Sequence, residues 1–237
     1  MEIILKKKPK NPTIIEGFPG FGLVGTITTE FLIEQLKAEK IGSINMKEAP
    51  PMVAIHDGNL VRPMGIFYSK KYNLVILHVM TNVAGLEWDI SSEILALAKQ
   101  LDAKEIISIE GVGSPGLVDE PSAYYYSNRD AATKKFESGN VKKMKEGIVM
   151  GVTATLLLQA DHDYSISCIF AETPSNLPDS KAAAKVVEVM DKYLGMNIDY
   201  KPLLKQAEKF EEKIKGFLKQ SQAMTSEQKK KQLSYVG

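Results

Sequence analysis

Residues 13–25 read Thr-Ile-Ile-Glu-Gly-Phe-Pro-Gly-Phe-Gly-Leu-Val-Gly, and no other segment restricts the fold as much. A short apolar run, Thr13–Ile15, enters a turn carrying Gly20, Gly22 and Gly25 in the spacing G-x-G-x-x-G. A helical pattern over Leu23–Leu36 follows, with Val24, Ile27, Phe31, Leu32 and Leu36 at helical spacing. A strand that turns through glycines into a helix is the opening unit of an α/β fold. It has two readings. In one, the helix N–H groups face the pyrophosphate of a dinucleotide. In the other, the glycines only let backbone bend and pack closely.

The residue types argue against the first reading. A dinucleotide site places an acid roughly 20 residues beyond the glycines. Glu48 stands near that distance, but between Lys47 and Pro50-Pro51. Glu16, just before the turn, would repel a pyrophosphate, and Phe18, Pro19 and Phe21 are bulky for a phosphate loop. Gly17, Gly20, Gly22 and Gly25 are therefore assigned as a structural turn. The alternative is a nucleotide- or phosphate-binding protein, or an enzyme, using this turn and a second one at Gly111–Gly116.

Further along, Glu2–Leu5 reads as a strand, and Gly42 as the break between the first helix and a strand over Ser43–Met46. Pro50-Pro51 leads into a strand over Met52–Ile55. Asp57-Gly58-Asn59 is a hairpin signal, with a return strand over Leu60–Tyr68. Leu74–Val79 and Ile106–Ile109 are runs apolar enough for strands covered on both faces. Leu86–Leu101 reads as a helix with Trp88, Ile94, Leu95 and Ala98 on or near one face. Tyr124–Tyr126 and Tyr164–Phe170 read as strands, Arg129–Phe136 as a short helix, and Gly147–Leu158 as a loop entering an apolar helix. Ser180–Tyr193 reads as a helix started by Asp179, and Tyr200–Gln220 as an amphipathic one. Strands alternating with helices predict a three-layer α/β domain with a mixed, mostly parallel sheet over about residues 1–197. A helical arm (198–220) and a polar, flexible tail (221–237) are expected to follow.

Bulk composition narrows the function. The 237 residues are 44% hydrophobic and 25% charged, enough for a sizeable core. The net charge of +1 gives no electrostatic footprint for nucleic acid. No apolar run reaches the roughly 18–20 residues of a membrane span, and the N-terminus lacks signal-peptide character. A cytoplasmic protein is expected. The single cysteine, Cys168, excludes multi-cysteine metal sites and reads as a small core residue.

The remaining catalytic candidates are thin. His56, His78 and His162 share no metal-ligand spacing, and His78 reads as a hydrogen-bonded core histidine. Pro115 after Ser114 removes the backbone donor that an oxyanion hole would use. Asp119-Glu120 are chain neighbours that face apart in an extended segment. No catalytic residue, cofactor or metal ligand is assigned.

An ordered series of motifs does carry a resemblance. Residues Ile15–Thr26 resemble the N-terminal signature of the PAC2 family of proteasome assembly chaperones. Pro50-Pro51 with Asp57-Gly58 and Pro63 is similar to that family's PP…DG…P stretch, and Glu105–Gly111 to its central strand and glycine turn. Gly147–Gly151 with Leu156-Leu157-Leu158 resembles its G-x-x-x-G…LL element. Pro178-Asp179-Ser180 resembles its PDP element, with serine in place of the second proline. The likeness spans about residues 13–215. It implies an α/β/α sandwich of nucleoside-phosphorylase-like architecture, no catalysis and homo-oligomers. It also implies binding to proteasome α subunits of the 20S core particle, with a paralogous family protein as a further partner.

Such proteins, like proteasome activators, can end in a hydrophobic residue, a tyrosine and one last residue. Here Leu233-Ser234-Tyr235-Val236-Gly237 puts the tyrosine third from the end. Under the resemblance Leu233, Tyr235, Val236 and Gly237 are the expected proteasome-binding tip. Leu203, Leu204, Phe210, Ile214 and Phe217 of the arm are the expected oligomer or partner contact.

Overall fold

The computed structural model describes residues 2–49, 51–56, 58–113, 120–160, 163–205 and 216. Strands β1 (Glu2–Leu5) and β2 (Thr13–Gly17) come first, then one 3₁₀ turn (Phe21–Leu23), helix α1 (Val24–Gln35) and β3 (Glu39–Asn45). A small hairpin, β4 (Ala54–His56) with β5 (Asn59–Val61), stands apart from the main sheet. Next are β6 (Met64–Ser69), β7 (Leu74–Val79), α2 (Glu87–Gln100), β8 (Glu105–Gly113), β9 (Ala123–Ser127) and α3 (Asp130–Ser138). The chain continues through β10 (Lys142–Lys143), α4 (Gly151–Gln159), β11 (Ile166–Thr173), α5 (Ser180–Leu194) and α6 (Lys201–Lys205).

The main sheet has nine strands in the order β1-β3-β6-β7-β2-β8-β11-β9-β10. Its centre, β7-β2-β8-β11, is parallel, and antiparallel pairings flank it. The expected mixed sheet with a parallel centre is what forms. The central strands are apolar on both faces because both are covered. On one face Ile14, Ile106 and Phe170 pack under α2 and α4. On the other, Ile15, Ile107 and Ile169 pack under α1, α3 and α5. These are the three layers.

Four local expectations need correction. Gly42 does not break the first helix from the next strand. That helix ends near Leu36, and Lys37 makes the turn at φ 48°. Gly42 lies inside β3, where a Cβ would overlap the Ile4 carbonyl oxygen of the neighbouring strand. The run Leu60–Tyr68 is two strands, since Pro63 lies between β5 and β6 and the two belong to different sheets. Trp88 is 56% exposed, because Ile90, Ile94, Leu97 and Ala98 form the inward stripe of α2. Finally, Gly111-Val112-Gly113 is strand, not loop, held in register with Ala171-Glu172-Thr173 of β11.

Candidate functional site

Neighbouring parallel strands β2 and β7 send their helices, α1 and α2, to opposite faces of the sheet. Chains that diverge this way leave a crevice at the carboxyl ends of the strands, where α/β folds bind ligands. Here it measures about 490 Å³ and is lined from the turn after β2 (Phe18–Phe21), the segment after β7 (Asn82–Ala84), Glu87, the end of β8, and residues 148–152 at the start of α4.

The glycines shape this crevice by close contact. A Cβ on Gly17 would overlap the Gly25 carbonyl oxygen, and one on Gly25 would lie 2.8 Å from the Ile109 carbonyl oxygen. These two positions let α1 begin directly against β2 and β8. Gly22 takes φ 64°, in the left-handed region that favours glycine. A Cβ on Gly20 would overlap Oε1 of Glu110. The carboxylate of Glu110 thus lies against the glycine turn, where the dinucleotide reading would put a phosphate.

Glu110 anchors a buried polar chain. Thr153 Oγ1, in the first turn of α4, donates to Glu110 Oε2 at 3.0 Å. Ser108 Oγ lies 2.7 Å from Thr153 Oγ1. With the Thr153 proton committed to Glu110, Ser108 is the donor of that pair. Glu16 pairs with Ser108 across β2 and β8, and its side chain is buried on the same face. Burial pushes the Glu16 carboxyl up to about 8, opposed in part by Ser108 within hydrogen-bonding reach and reinforced by the charge of Glu110. Burial likewise raises Glu110 to about 7, offset in part by Thr153. The hydrogen-bonded chain runs from Ser108 through Thr153 to Glu110, with the buried Glu16 carboxyl across from Ser108 on the neighbouring strand. The site can hold a proton on its buried acids, and it presents the carboxyl groups of Glu110 and Glu87 to whatever enters the crevice. On β11, across from Ser108 of β8, burial and the two carboxyls also raise the Cys168 thiol well above its ordinary value, as suits a core residue.

The other candidates settle elsewhere. Glu48 is exposed beyond β3, which β6 and β7 separate from β2. It does not reach the glycine turn. His78 is a core histidine as expected. Its Nδ1 is 2.9 Å from Thr29 Oγ1, and its Nε2 lies 2.9 Å from Glu30 Oε2, out of line for a hydrogen bond. Among the described residues no group of His, Cys, Asp and Glu could hold a metal ion. Leu203 is buried against Leu23, Ile27 and Phe31, while Leu204 is exposed. Ser114, Asp119, His162, Phe210, Ile214, Phe217, Leu233, Tyr235, Val236 and Gly237 lie outside the described residues.

Sequence reasoning weighed Glu16 only as an obstacle to phosphate and passed over Glu110. A signal was available: each is an acid near the end of a mostly apolar central strand, in period-2 phase with Ile14 of β2 or Ile106 of β8 on the same face.

The PAC2 family model matches residues 14–218. PbaA of Pyrococcus furiosus, an archaeal homolog of proteasome-assembly chaperone, superposes with a TM-score of 0.85 at 32% identity, over 94% of this chain and 98% of its own. PbaB of the same organism, an archaeal proteasome activator, shares the fold with a TM-score of 0.77 at 24% identity, over 91% of this chain and 97% of its own. An uncharacterized protein of Methanocaldococcus jannaschii is 28% identical over 96% of this chain and 93% of its own length.

Proposed function

The chain belongs to the PAC2 family, and from that membership we propose that it is a non-catalytic proteasome assembly chaperone. It forms homo-oligomers in the cytoplasm and holds proteasome α subunits through its C-terminal region, with Leu233, Tyr235, Val236 and Gly237 as the contacting tip and the arm residues Phe210, Ile214 and Phe217 in subunit contacts. A paralogous family protein is a further partner. The observation that carries this reading is the near full-length likeness to PbaA at 32% identity. Two features support it. No helix among the described residues is long and apolar enough to cross a membrane. Ile55 and Leu60, paired across the β4–β5 hairpin, stand in solvent side by side, as on a surface that meets other polypeptides. A tail that orders on binding contributes modestly per site, and several copies in an oligomer raise its avidity.

The test is co-elution. Purified α subunits are mixed with the full chain, and with a chain lacking 221–237, and run by size exclusion. The full chain is expected to co-elute and the shortened one to lose most of the complex. No co-elution of the full chain removes the proteasome reading.

The alternative, a nucleotide or phosphate held on the glycine turn, is disfavoured by Glu110. The carboxylate lies against Gly20, and Glu16 lies beside it on the same face. A thermal-shift panel of nucleotides, nucleosides and phosphate is expected to leave the melting temperature unmoved.

A further inference from the structure

We propose that the free edge of β1 is a self-complementary interface: two copies of this chain pair β1 with β1 in antiparallel order about a two-fold axis at Ile4, joining their sheets into one.

The two edges of the nine-stranded sheet are built differently. β10 is two residues long and both are lysine, which blunts an edge against further pairing. β1 is Glu2-Ile3-Ile4-Leu5, with no proline or lysine in it and in unbroken register with β3. The Lys6 N–H continues that ladder to the Ile41 carbonyl at 2.7 Å. Antiparallel strands bond through alternate residues. Glu2, Ile4 and Lys6 therefore aim their backbone groups at β3, and Ile3 and Leu5 aim theirs outward. Among the described residues β1 has β3 as its only strand partner, and no loop backbone bonds to Ile3 or Leu5.

The order of the side chains selects a second copy as the occupant. With Ile4 opposite Ile4, Ile3 faces the partner's Leu5 and Glu2 faces the partner's Lys6, each twice by symmetry. The outward-bonding residues then stand opposite one another, as an antiparallel ladder requires. Opposite charges meet, and so do apolar side chains: Ile3 and Leu5 on the face that packs against the α2 core, Ile4 on the other. Centring the pair on Ile3 or on Leu5 instead sets Ile4 against Glu2 or Lys6.

The charge around Lys6 supports the same register. Burial, then the like charges of Arg62 and Lys6, hold the Lys40 ammonium of β3 below its ordinary value. Lys7, next along the chain, already pairs with Glu39 at 2.7 Å. The partner's Glu2 brings a carboxylate to Lys6, where like charges gather. Apolar surface adjoins this edge as well. Ile4, Val53 and Leu60 are exposed, and the last two line a cleft with Glu2.

This contact gives a surface to the homo-oligomer of the proposed function and rests on that part of it alone. Self-association of the full chain is read as mass by light scattering over a concentration series at low salt. Glu2→Lys places a second cation against the partner's Lys6, and Lys6→Glu a second anion against the partner's Glu2. Both positions are exposed, so the fold of each copy is expected to be kept. Either variant alone is expected to associate at least several-fold more weakly than the parent. An equal mixture of the two restores opposite charges at both contacts and is expected to recover the parent's mass. A parent that stays monomeric overturns the proposal, as do single variants with the parent's mass or a mixture that stays dissociated. Single variants that keep the parent's oligomeric mass remove the β1 contact and leave the homo-oligomer to another surface. No α subunit enters the experiment, so its outcome is separate from that of the co-elution test.

Discussion

Gly17 and Gly25 face each other where β2 passes under the start of α1, and neither has room for a methyl group. A Cβ at Gly17 meets backbone, which cannot swing aside as a flexible side chain would. Gly17→Ala is therefore expected to cost at least 1–3 kcal/mol, on the order of other overpacked core positions, by denaturant unfolding. Gly113→Ala is the matched control. A Cβ there would sit 3.7 Å from the Phe21 ring, an ordinary contact, so its midpoint is expected to stay close to the parent's. Equal losses in both variants would show that close approach is not what the first glycine provides.

The buried acids give a second prediction at this scale. Glu16 has an ordinary value of 4.5 and stands at about 8 in the folded chain. Between those limits the unfolded chain has shed a proton that the folded chain keeps, so stability falls as pH rises through the window. Glu110, at about 7, adds to the fall over the lower part of it. Glu16→Gln removes one such group. The unfolding free energy of the variant relative to the parent, measured by denaturant unfolding, is expected to climb between pH 5 and 8, by at most about 1.4 kcal/mol per pH unit. A difference that stays flat across that range would mean Glu16 titrates normally. Residue types alone marked these carboxyls as out of place in apolar strands. That Glu110 is held by a hydroxyl from Thr153 depends on α4, which arrives from more than 40 positions away in sequence.

At the scale of elements, α5 was fully legible. Its apolar residues repeat at the helical period, Asp179 precedes it, and Gly195 ends it at φ 68°. Its small residues Ala182, Ala183 and Ala184 are buried, which lets the helix lie close to α1 and the sheet. The Asp179 side chain accepts from the Ala182 N–H at 2.9 Å, and its own N–H donates to the Gly22 carbonyl at 2.9 Å. Asp179→Ala deletes the first bond and keeps the second, so a loss of about 1 kcal/mol is expected in a thermal melt. A loss near zero would show that water caps the helix equally well. The end of β8 was not legible. Gly111-Val112-Gly113 has the composition of a loop, and local propensity has no means of registering the eight residues of β11 that pair along it. Gly111 is glycine because a Cβ would overlap the Phe21 carbonyl oxygen, a contact with a distant turn.

Across the whole molecule, the hairpin β4–β5 carries Ile55, 77% exposed, together with Val53 and Leu60. It leaves the sheet at the end where Met64 of β6 pairs with Val79 of β7, the same end that holds the crevice. Under the oligomer reading these side chains are covered by another subunit. Changing Ile55 and Leu60 together to Asp is expected to lower the mass by light scattering without lowering the melting temperature of the monomer fold. An unchanged mass would move the contact elsewhere on the surface.

The sequence by itself determined the alternation of strands and helices, the buried central strands and the glycine turn, because hydrophobic period and backbone freedom are local properties. The tertiary structure alone decided which strands are neighbours, that Glu110 fills the place beside Gly20, and that Glu48 lies too far away to serve. Those outcomes depend on strand order, and strand order is fixed by which faces bury one another, not by any residue's own preference.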